Sequence, residues 1–188
     1  MFKKSTLFTA ASGATIHPLE QRLRLQSRLR NGANWFYWIA ALSVINTILI
    51  EFGSTINFVF GLGITQIIDA LVFLFGQDFP QESFIVLRIF GWVITLLIIL
   101  IFVLFGIFAN KRQCWAFIAG IIVYALDGLA VLFVWDKPDL FAFVFHLIVI
   151  WGLVSGLRAI GQLEKLDDSL RQTGLLPPVP PPSVIQPV

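Results

Sequence analysis

Residues 84–108 read FIVLRIFGWVITLLIILIFVLFGIF and contain a single charged side chain, that of Arg88. A helix needs about 20 mostly apolar residues to cross a hydrocarbon core of about 30 Å, so this stretch predicts a membrane-spanning helix. Further apolar stretches lie at 34–52, 56–76, 116–135 and 140–157. The chain has a mean hydropathy of +0.86, and 13% of its residues are charged, whereas soluble domains average about 25%. The composition predicts an all-α integral membrane protein.

The placement of basic residues selects which stretches cross. Basic residues concentrate on the cytoplasmic side of membrane proteins. If 56–76 does not cross, 11 of the 13 basic residues face the cytoplasm. They are Lys3, Lys4, Arg22, Arg24, Arg28, Arg30, Lys111, Arg112, Arg158, Lys165 and Arg171. We therefore predict a four-helix bundle with crossings at about 34–52, 84–108, 116–135 and 140–157, with both termini in the cytoplasm.

The remaining apolar stretch, 56–76, is predicted to lie on the outer side of the bundle. Asn57, Gly61, Thr65 and Asp69 recur at every fourth position and form a small, polar stripe on one side of a helix. Two interpretations stay open. The segment either re-enters the bilayer, where protein or a wet cavity surrounds it, or lies flat in the headgroups as an amphipathic helix.

The segments on either side of the predicted transmembrane domain (34–157) are more polar than the domain itself. Residues 1–33 form a basic, amphipathic, cytoplasmic segment whose arginines are predicted to dock on the membrane surface, namely Arg22, Arg24, Arg28 and Arg30. Each basic residue near an anionic leaflet contributes about 1 kcal/mol. Residues 158–174 predict a cytoplasmic amphipathic helix. The Pro-rich stretch 175–188 predicts a disordered, extended tail.

Polar residues inside the apolar stretches form the candidate site. A charge in the bilayer costs about 2.5–3.5 kcal/mol on insertion scales and therefore invites a functional interpretation. Counted along the predicted crossings, Arg88, Asp127 and His146 fall in the outer half of the bilayer. Asn46 marks the outer end of the first crossing, and Gln66 and Asp69 belong to the 56–76 segment on the same side, so the candidate ligand-binding residues are Asn46, Gln66, Asp69, Arg88, Asp127 and His146. In one interpretation they form a structural network in which Arg88 pairs with Asp127 or Asp69. In the other they line an outward-facing pocket for a lipid headgroup, a small polar ligand or a proton.

Signatures of catalysis and of cofactor binding are sparse. One cysteine and two histidines exclude a cysteine-based zinc site, and no phosphate loop, dinucleotide fingerprint or HExxH sequence occurs. We predict no catalytic residue, metal, cofactor or nucleic-acid partner. Asp69 and Asp127 as an aspartyl dyad give a weaker hypothesis, an intramembrane hydrolase. Gly152 and Gly156 form a small-residue surface for helix contact, within the chain or between copies.

Several stretches carry a resemblance: NWFYWIA at 34–40, GLGITQ at 61–66, WAFIAG at 115–120, YALD at 124–127, Phe145-His146 and GLR at 156–158. Together they resemble a group of small bacterial multi-spanning membrane proteins that have no assigned activity. The resemblance covers about residues 31–160. It implies a location in the bacterial inner membrane and carries over no catalytic residue.

The leading functional hypothesis is a non-enzymatic accessory or scaffolding subunit. Its expected partners are membrane lipids, other membrane-protein subunits or copies of itself. The alternative is binding or transport of a lipid or small ligand through the polar cluster of the outer half.

Overall fold

The computed structural model describes residues 4–52, 62–76, 80–134 and 140–177, with side chains from residue 17 onward except those of 131–134. These ranges contain no strand and form five helices: α1 (Lys4–Glu51), α2 (Gly63–Gly76), α3 (Gln81–Asn110), α4 (Cys114–Val134) and α5 (Leu140–Gln172). The all-α class is confirmed. Residues 56–61 of the predicted outer segment and 178–188 of the Pro-rich tail lie outside the described residues.

α1 joins the basic segment and the first apolar stretch in one helix of 48 residues. Its buried side chains explain this continuity, because they recur at helical spacing across the expected boundary at residue 33: Leu25, Leu29, Ala33, Phe36 and Ala40. α5 likewise continues without a break through residue 157. One buried stripe on α5 runs from Val149 to Leu170. The amphipathic flanks are thus extensions of the bundle.

α1 and α5 pack against each other in opposite directions. Arg22 meets Asp167 near one end of the pair, and Gly32 lies against Gly156 closer to the middle. A Cβ atom added to Gly32 would lie 2.5 Å from the Cα atom of Gly156. The small residues therefore let the two backbones touch within one chain.

α3 is antiparallel to α1, because Glu51 at the end of α1 pairs with Arg88 near the start of α3. Farther along, Phe36 packs on Phe105 with ring centroids 5.8 Å apart. α4 packs on both α3 and α5, while α2 lies against α3, α4 and α1. We call the end that holds α2 and the Glu51–Arg88 pair the α2 end. The opposite end is the Asp167 end.

Three helices are long and apolar enough to cross a membrane among the described residues, within His17–Glu51, Gln81–Asn110 and Leu140–Gln172. Many large apolar side chains on these helices face outward; Phe90 and Leu96, for example, are each 62% exposed. Extended apolar surface of this kind is rare on soluble monomers. The protein is therefore helical, with three candidate transmembrane helices.

α2 has 14 residues, about 21 Å of helix, which is too short to cross the hydrocarbon core. Its first turn lies inside the bundle, because the amide of Leu62 contacts Ser43, eight residues before the end of α1. Its other end, Gly76, lies against Phe84 near the start of α3. α2 thus begins inside the bundle and runs toward the end that holds the Glu51–Arg88 pair.

Candidate functional site

Asp127 binds the N-terminus of α2 from the neighbouring helix α4. One carboxylate oxygen, Oδ1, accepts the amide hydrogen of Ile64 at 2.7 Å, and Oδ2 accepts that of Gly63 at 2.9 Å. The first amides of a helix have no partner within the helix, and its N-terminus favours a negative charge. Asp127 meets both requirements, and it is buried. We call this contact the Asp127 clamp.

His146 of α5 completes the clamp. Its Nδ1 atom lies 2.8 Å from the carbonyl oxygen of Ala142, so Nδ1 carries a hydrogen and donates it. Its Nε2 atom lies 3.2 Å from Oδ2 of Asp127, so this contact holds a second proton. With one proton between them, Asp127 and His146 form a neutral pair, which suits a buried position.

Two neighbours hold the imidazole of His146 in place. The ring of Tyr124 stacks on it, with centroids 4.6 Å apart and planes inclined by 18°. Gly128, one turn farther along α4, provides room for it, because a Cβ atom there would lie 2.9 Å from Cδ2 of His146. The ring is therefore fixed between α4 and α5.

Ser43 and Thr65 complete the hydrogen bonding at the start of α2. Ser43 Oγ accepts the amide hydrogen of Leu62 at 2.9 Å and donates to the carbonyl oxygen of Ile39 at 2.8 Å. Thr65 donates its hydroxyl to the carbonyl oxygen of Leu62 at 2.8 Å. α1, α4 and α5 together thus hold the start of α2 inside the bundle.

A cavity of about 310 Å³ opens between α1, α2 and α3 at the α2 end. Glu51 and Arg88 form an ion pair on its wall, and the guanidinium of Arg88 also lies 5.4 Å from the ring centre of Trp92. Asp69 and Thr47 line the same cavity, and Oδ2 of Asp69 and Oγ1 of Thr47 are buried without a hydrogen-bond partner among the described residues. Buried polar atoms without partners are uncommon, so these two atoms mark the cavity as a candidate binding site.

The predicted polar cluster therefore divides into two parts. Asp127 and His146 belong to the clamp, whereas Asp69 and Arg88 line the cavity. The expected pairing of Arg88 with Asp127 or Asp69 is wrong, since Arg88 pairs with Glu51. Glu51 lies closer because α1 ends where α3 begins.

Asp69 and Asp127 are not placed as an aspartyl dyad. Both oxygens of Asp127 accept amides at the start of α2, and Asp69 lies five residues beyond the second of these, about 8 Å along the helix. Two carboxyl groups that share a proton approach to about 3 Å. Among the described residues there is also no group of three or more His, Cys, Asp or Glu side chains able to hold a metal ion.

The other two predicted residues lie beside these sites. Asn46 is 2% exposed on α1, and its Oδ1 atom is buried with no hydrogen-bond partner within the described ranges. Gln66 is half-buried on the first turn of α2. Ser43 was not among the residues predicted for this site from the sequence. A serine three residues before Asn46, on the buried side of α1, was the available signal.

A second polar network lies at the Asp167 end. The buried carboxylate of Asp167 accepts hydrogen bonds from Arg22 at 2.6 Å and from Arg112, in the α3–α4 connection, at 3.0 Å. Burial disfavours the ionised carboxylate, but the hydrogen bonds and charges of the two arginines outweigh it. They hold the pKa of Asp167 below its ordinary value of 3.8. Three segments of the chain are joined at this one side chain.

This network bears on the four arginines that the sequence assigns to the membrane surface. Arg24, Arg28 and Arg30 are exposed on α1. Arg22 is half-buried and is bound to Asp167, so its guanidinium joins α1 to α5. Asp167 could have been found from the sequence, because it lies between Leu163 and Leu170 on the apolar stripe of α5.

No family model, curated protein or solved structure matches this chain. The resemblance to small bacterial membrane proteins stays a prediction. The class of the protein therefore rests on its helices, and its function on the geometry of the two sites at the α2 end.

Proposed function

We propose that this chain is a four-crossing protein of the bacterial inner membrane that binds a small organic cation in the cavity at its α2 end. In this topology α1, α3, α4 and α5 cross, both termini are cytoplasmic, and α2 re-enters from the outer side. The Glu51–Arg88 pair supports it, because the end of α1 and the start of α3 lie together and the chain between them does not cross. Arg22, Arg112 and Arg158 lie in the other half of the bundle, as positive-inside placement requires.

The observation that carries the binding proposal is the carboxylate of Asp69 on the cavity wall, which has a buried oxygen without a partner in the part of the chain that the structure describes. The wall holds two carboxylates, those of Glu51 and Asp69, against one guanidinium, that of Arg88. The site is thus one negative charge in excess. An ammonium group would neutralise it.

The apolar wall of the cavity suits the same ligand. The rings of Phe73, Phe84 and Trp92 line it, and aromatic faces attract organic cations with about 0.5–2 kcal/mol each. A volume of about 310 Å³ is at the lower end of small-molecule sites, which span about 300–1,000 Å³. The site therefore fits a compact amine.

Choline and its neutral carbon analogue, 3,3-dimethylbutan-1-ol, test the proposal as a matched pair. A ligand at 100 times its dissociation constant stabilises the folded state by about 2.7 kcal/mol. We expect choline, but not the alcohol, to raise the unfolding temperature of the purified protein in nanodiscs and to change its tryptophan fluorescence through Trp92.

Asp69→Asn should weaken choline binding at least tenfold. The control is Asp168→Asn, which removes the same charge from an exposed position at the Asp167 end. Equal binding of choline and the alcohol, no binding of either, or equal binding by wild type and Asp69→Asn would each reject a cation site.

The accessory-subunit hypothesis stays a prediction. The Gly152–Gly156 surface that suggested association contacts Trp35 and Gly32 of α1 in the same chain, so it does not provide a face for a partner. Copurification from native membranes tests the hypothesis separately. A stoichiometric partner protein would support it, and a partner-free protein that binds choline would favour the cavity.

A further inference from the structure

A second cavity, of about 330 Å³, lies between α1 and α5 toward the Asp167 end. Arg28 and Arg158 line it together with Ser155 and Gln162, and none of the described residues on its wall carries a carboxylate. Neither arginine takes part in an ion pair within the part of the chain that the structure describes. The cavity is thus a polar site with two uncompensated positive charges.

The residues that α5 contributes lie on one face of the helix. Trp151, Arg158 and Gln162 follow at spacings of seven and four residues, a rise of about 16 Å from first to last. Toward the α2 end the same face continues through Ile148 and Val144, which are exposed. The basic cavity therefore lies at one end of an exposed apolar track.

We infer that this cavity binds the phosphate headgroup of an anionic membrane lipid. The guanidinium groups of Arg28 and Arg158 bind the phosphate, since arginine matches phosphate oxygens with paired hydrogen bonds. The hydroxyl of Ser155 and the amide of Gln162 provide further donors. Basic pockets between membrane helices on the cytoplasmic side are known lipid-headgroup sites.

The apolar track identifies the phosphate as that of a lipid rather than a free ion. An acyl chain extending from the headgroup would run along Trp151, Ile148 and Val144, which are 73%, 52% and 44% exposed. The indole of Trp151 is 73% exposed beside the basic cavity, which is where an amphipathic ring marks a membrane interface. This inference is independent of the cation site, which lies at the other end of the bundle.

Native mass spectrometry of the purified protein in neutral detergent tests the inference. Phosphatidylglycerol is the probe, diacylglycerol with the same acyl chains is the neutral comparison without a phosphate or a choline group, and glycerol 3-phosphate represents free phosphate. We expect phosphatidylglycerol to remain bound and the other two to be lost. Each arginine near an anionic headgroup contributes about a factor of five in affinity, so Arg28→Gln/Arg158→Gln should weaken phosphatidylglycerol binding about 25-fold.

Two further variants separate a built site from general surface charge. Arg24→Gln/Arg30→Gln removes the same charge from exposed positions outside the cavity, and we expect it to change binding less than threefold. Ser155→Leu fills the cavity and leaves every charge in place. It should weaken binding about as much as the double arginine variant does.

Three outcomes would overturn the inference. The first is an equal loss of binding in the Arg24/Arg30 and Arg28/Arg158 variants, which would indicate a diffuse charge effect. The second is retention of diacylglycerol as strong as that of phosphatidylglycerol. The third is binding of glycerol 3-phosphate as tight as that of the lipid, which would place a soluble phosphate in the cavity.

Discussion

Replacement of Asp127 by asparagine should release the start of α2 from the bundle. The two carboxylate oxygens of Asp127 accept the amides of Gly63 and Ile64, for which the described structure offers no other acceptor. An asparagine side chain has one oxygen and one amino group. Whichever way this amide is turned, its amino group faces the backbone N–H of Gly63 or that of Ile64, so one of the two clamp hydrogen bonds is lost.

The magnitude follows from the contacts that are lost. Hydrogen bonds to a charged group contribute about 1.5–3 kcal/mol, and those between neutral groups about 1 kcal/mol. Asparagine removes one of the two amide hydrogen bonds to the charged carboxylate and turns the other into a hydrogen bond between neutral groups. Interhelical hydrogen bonds in membrane proteins average only about 0.6 kcal/mol, which moderates the sum. We expect Asp127→Asn to cost about 2–4 kcal/mol.

Hydrogen exchange at residues 62–66 measures this loss where it occurs. Local opening sets the exchange rate of a protected amide, and about 1.4 kcal/mol corresponds to a factor of ten. The amides of Gly63 and Ile64 should therefore exchange about 30–700 times faster in Asp127→Asn than in the wild type. Unfolding of the purified protein in bicelles should show whether the loss extends to the whole bundle.

Asp69→Asn is the matched control, because it makes the same chemical change on α2 at a carboxylate with a buried oxygen that has no partner. It should alter exchange at 62–66 less than threefold. Unchanged exchange in Asp127→Asn, or an equal acceleration in both variants, would refute the clamp as the contact that holds α2.

Two further variants test the packing of α1 against α5. Asp167→Asn should destabilise the protein by about 1–3 kcal/mol, since two arginines lose a charged acceptor. The pKa of Asp167 is lower in the folded protein than its ordinary 3.8. The stabilisation of the folded protein by this carboxylate is therefore fully present above that pH and is lost as the pH falls through the folded pKa. The difference in unfolding free energy between wild type and Asp167→Asn should thus be constant from about pH 5 to 8, and a slope in that range would contradict the assignment. Gly32→Ala should destabilise the protein by about 1–3 kcal/mol, because its Cβ atom meets the backbone of Gly156. Gly161→Ala is the control, has open space around it, and should stabilise the protein by about 0.5–1 kcal/mol. Equal effects of the two variants in thermal unfolding would refute the close crossing of α1 and α5.

The helices could be predicted from the sequence because their signal is local. The apolar stretch 84–108 lies inside α3, Gln81–Asn110, and the last apolar stretch lies inside α5. The extension of α1 and α5 beyond the apolar stretches was missed. Hydropathy falls at residues 33 and 157, while the buried stripe of each helix continues across these positions at unchanged spacing.

The hydrogen-bond and ion-pair partners of the polar cluster could not be predicted from the sequence, and the reason is physical. Asp127 binds backbone amides, which every residue possesses, so no side-chain pattern identifies Gly63 and Ile64 as its targets. The choice of Glu51 by Arg88 depends on which ends of α1 and α3 meet. That is a property of the packed bundle.

The charge balance at the α2 end links the structural and the functional sites. Asp127 with His146 and Glu51 with Arg88 are each neutral as pairs. Among the described side chains within the bundle at this end, Asp69 is then the acidic group without a countercharge. An uncompensated buried carboxylate is costly unless a cation or a proton joins it. The clamp fixes the position of α2 relative to its neighbouring helices, and this position places Asp69 on the cavity wall. Asp127→Asn should therefore weaken choline binding indirectly, through the position of Asp69, while Asp69→Asn should abolish the charge and leave α2 in place.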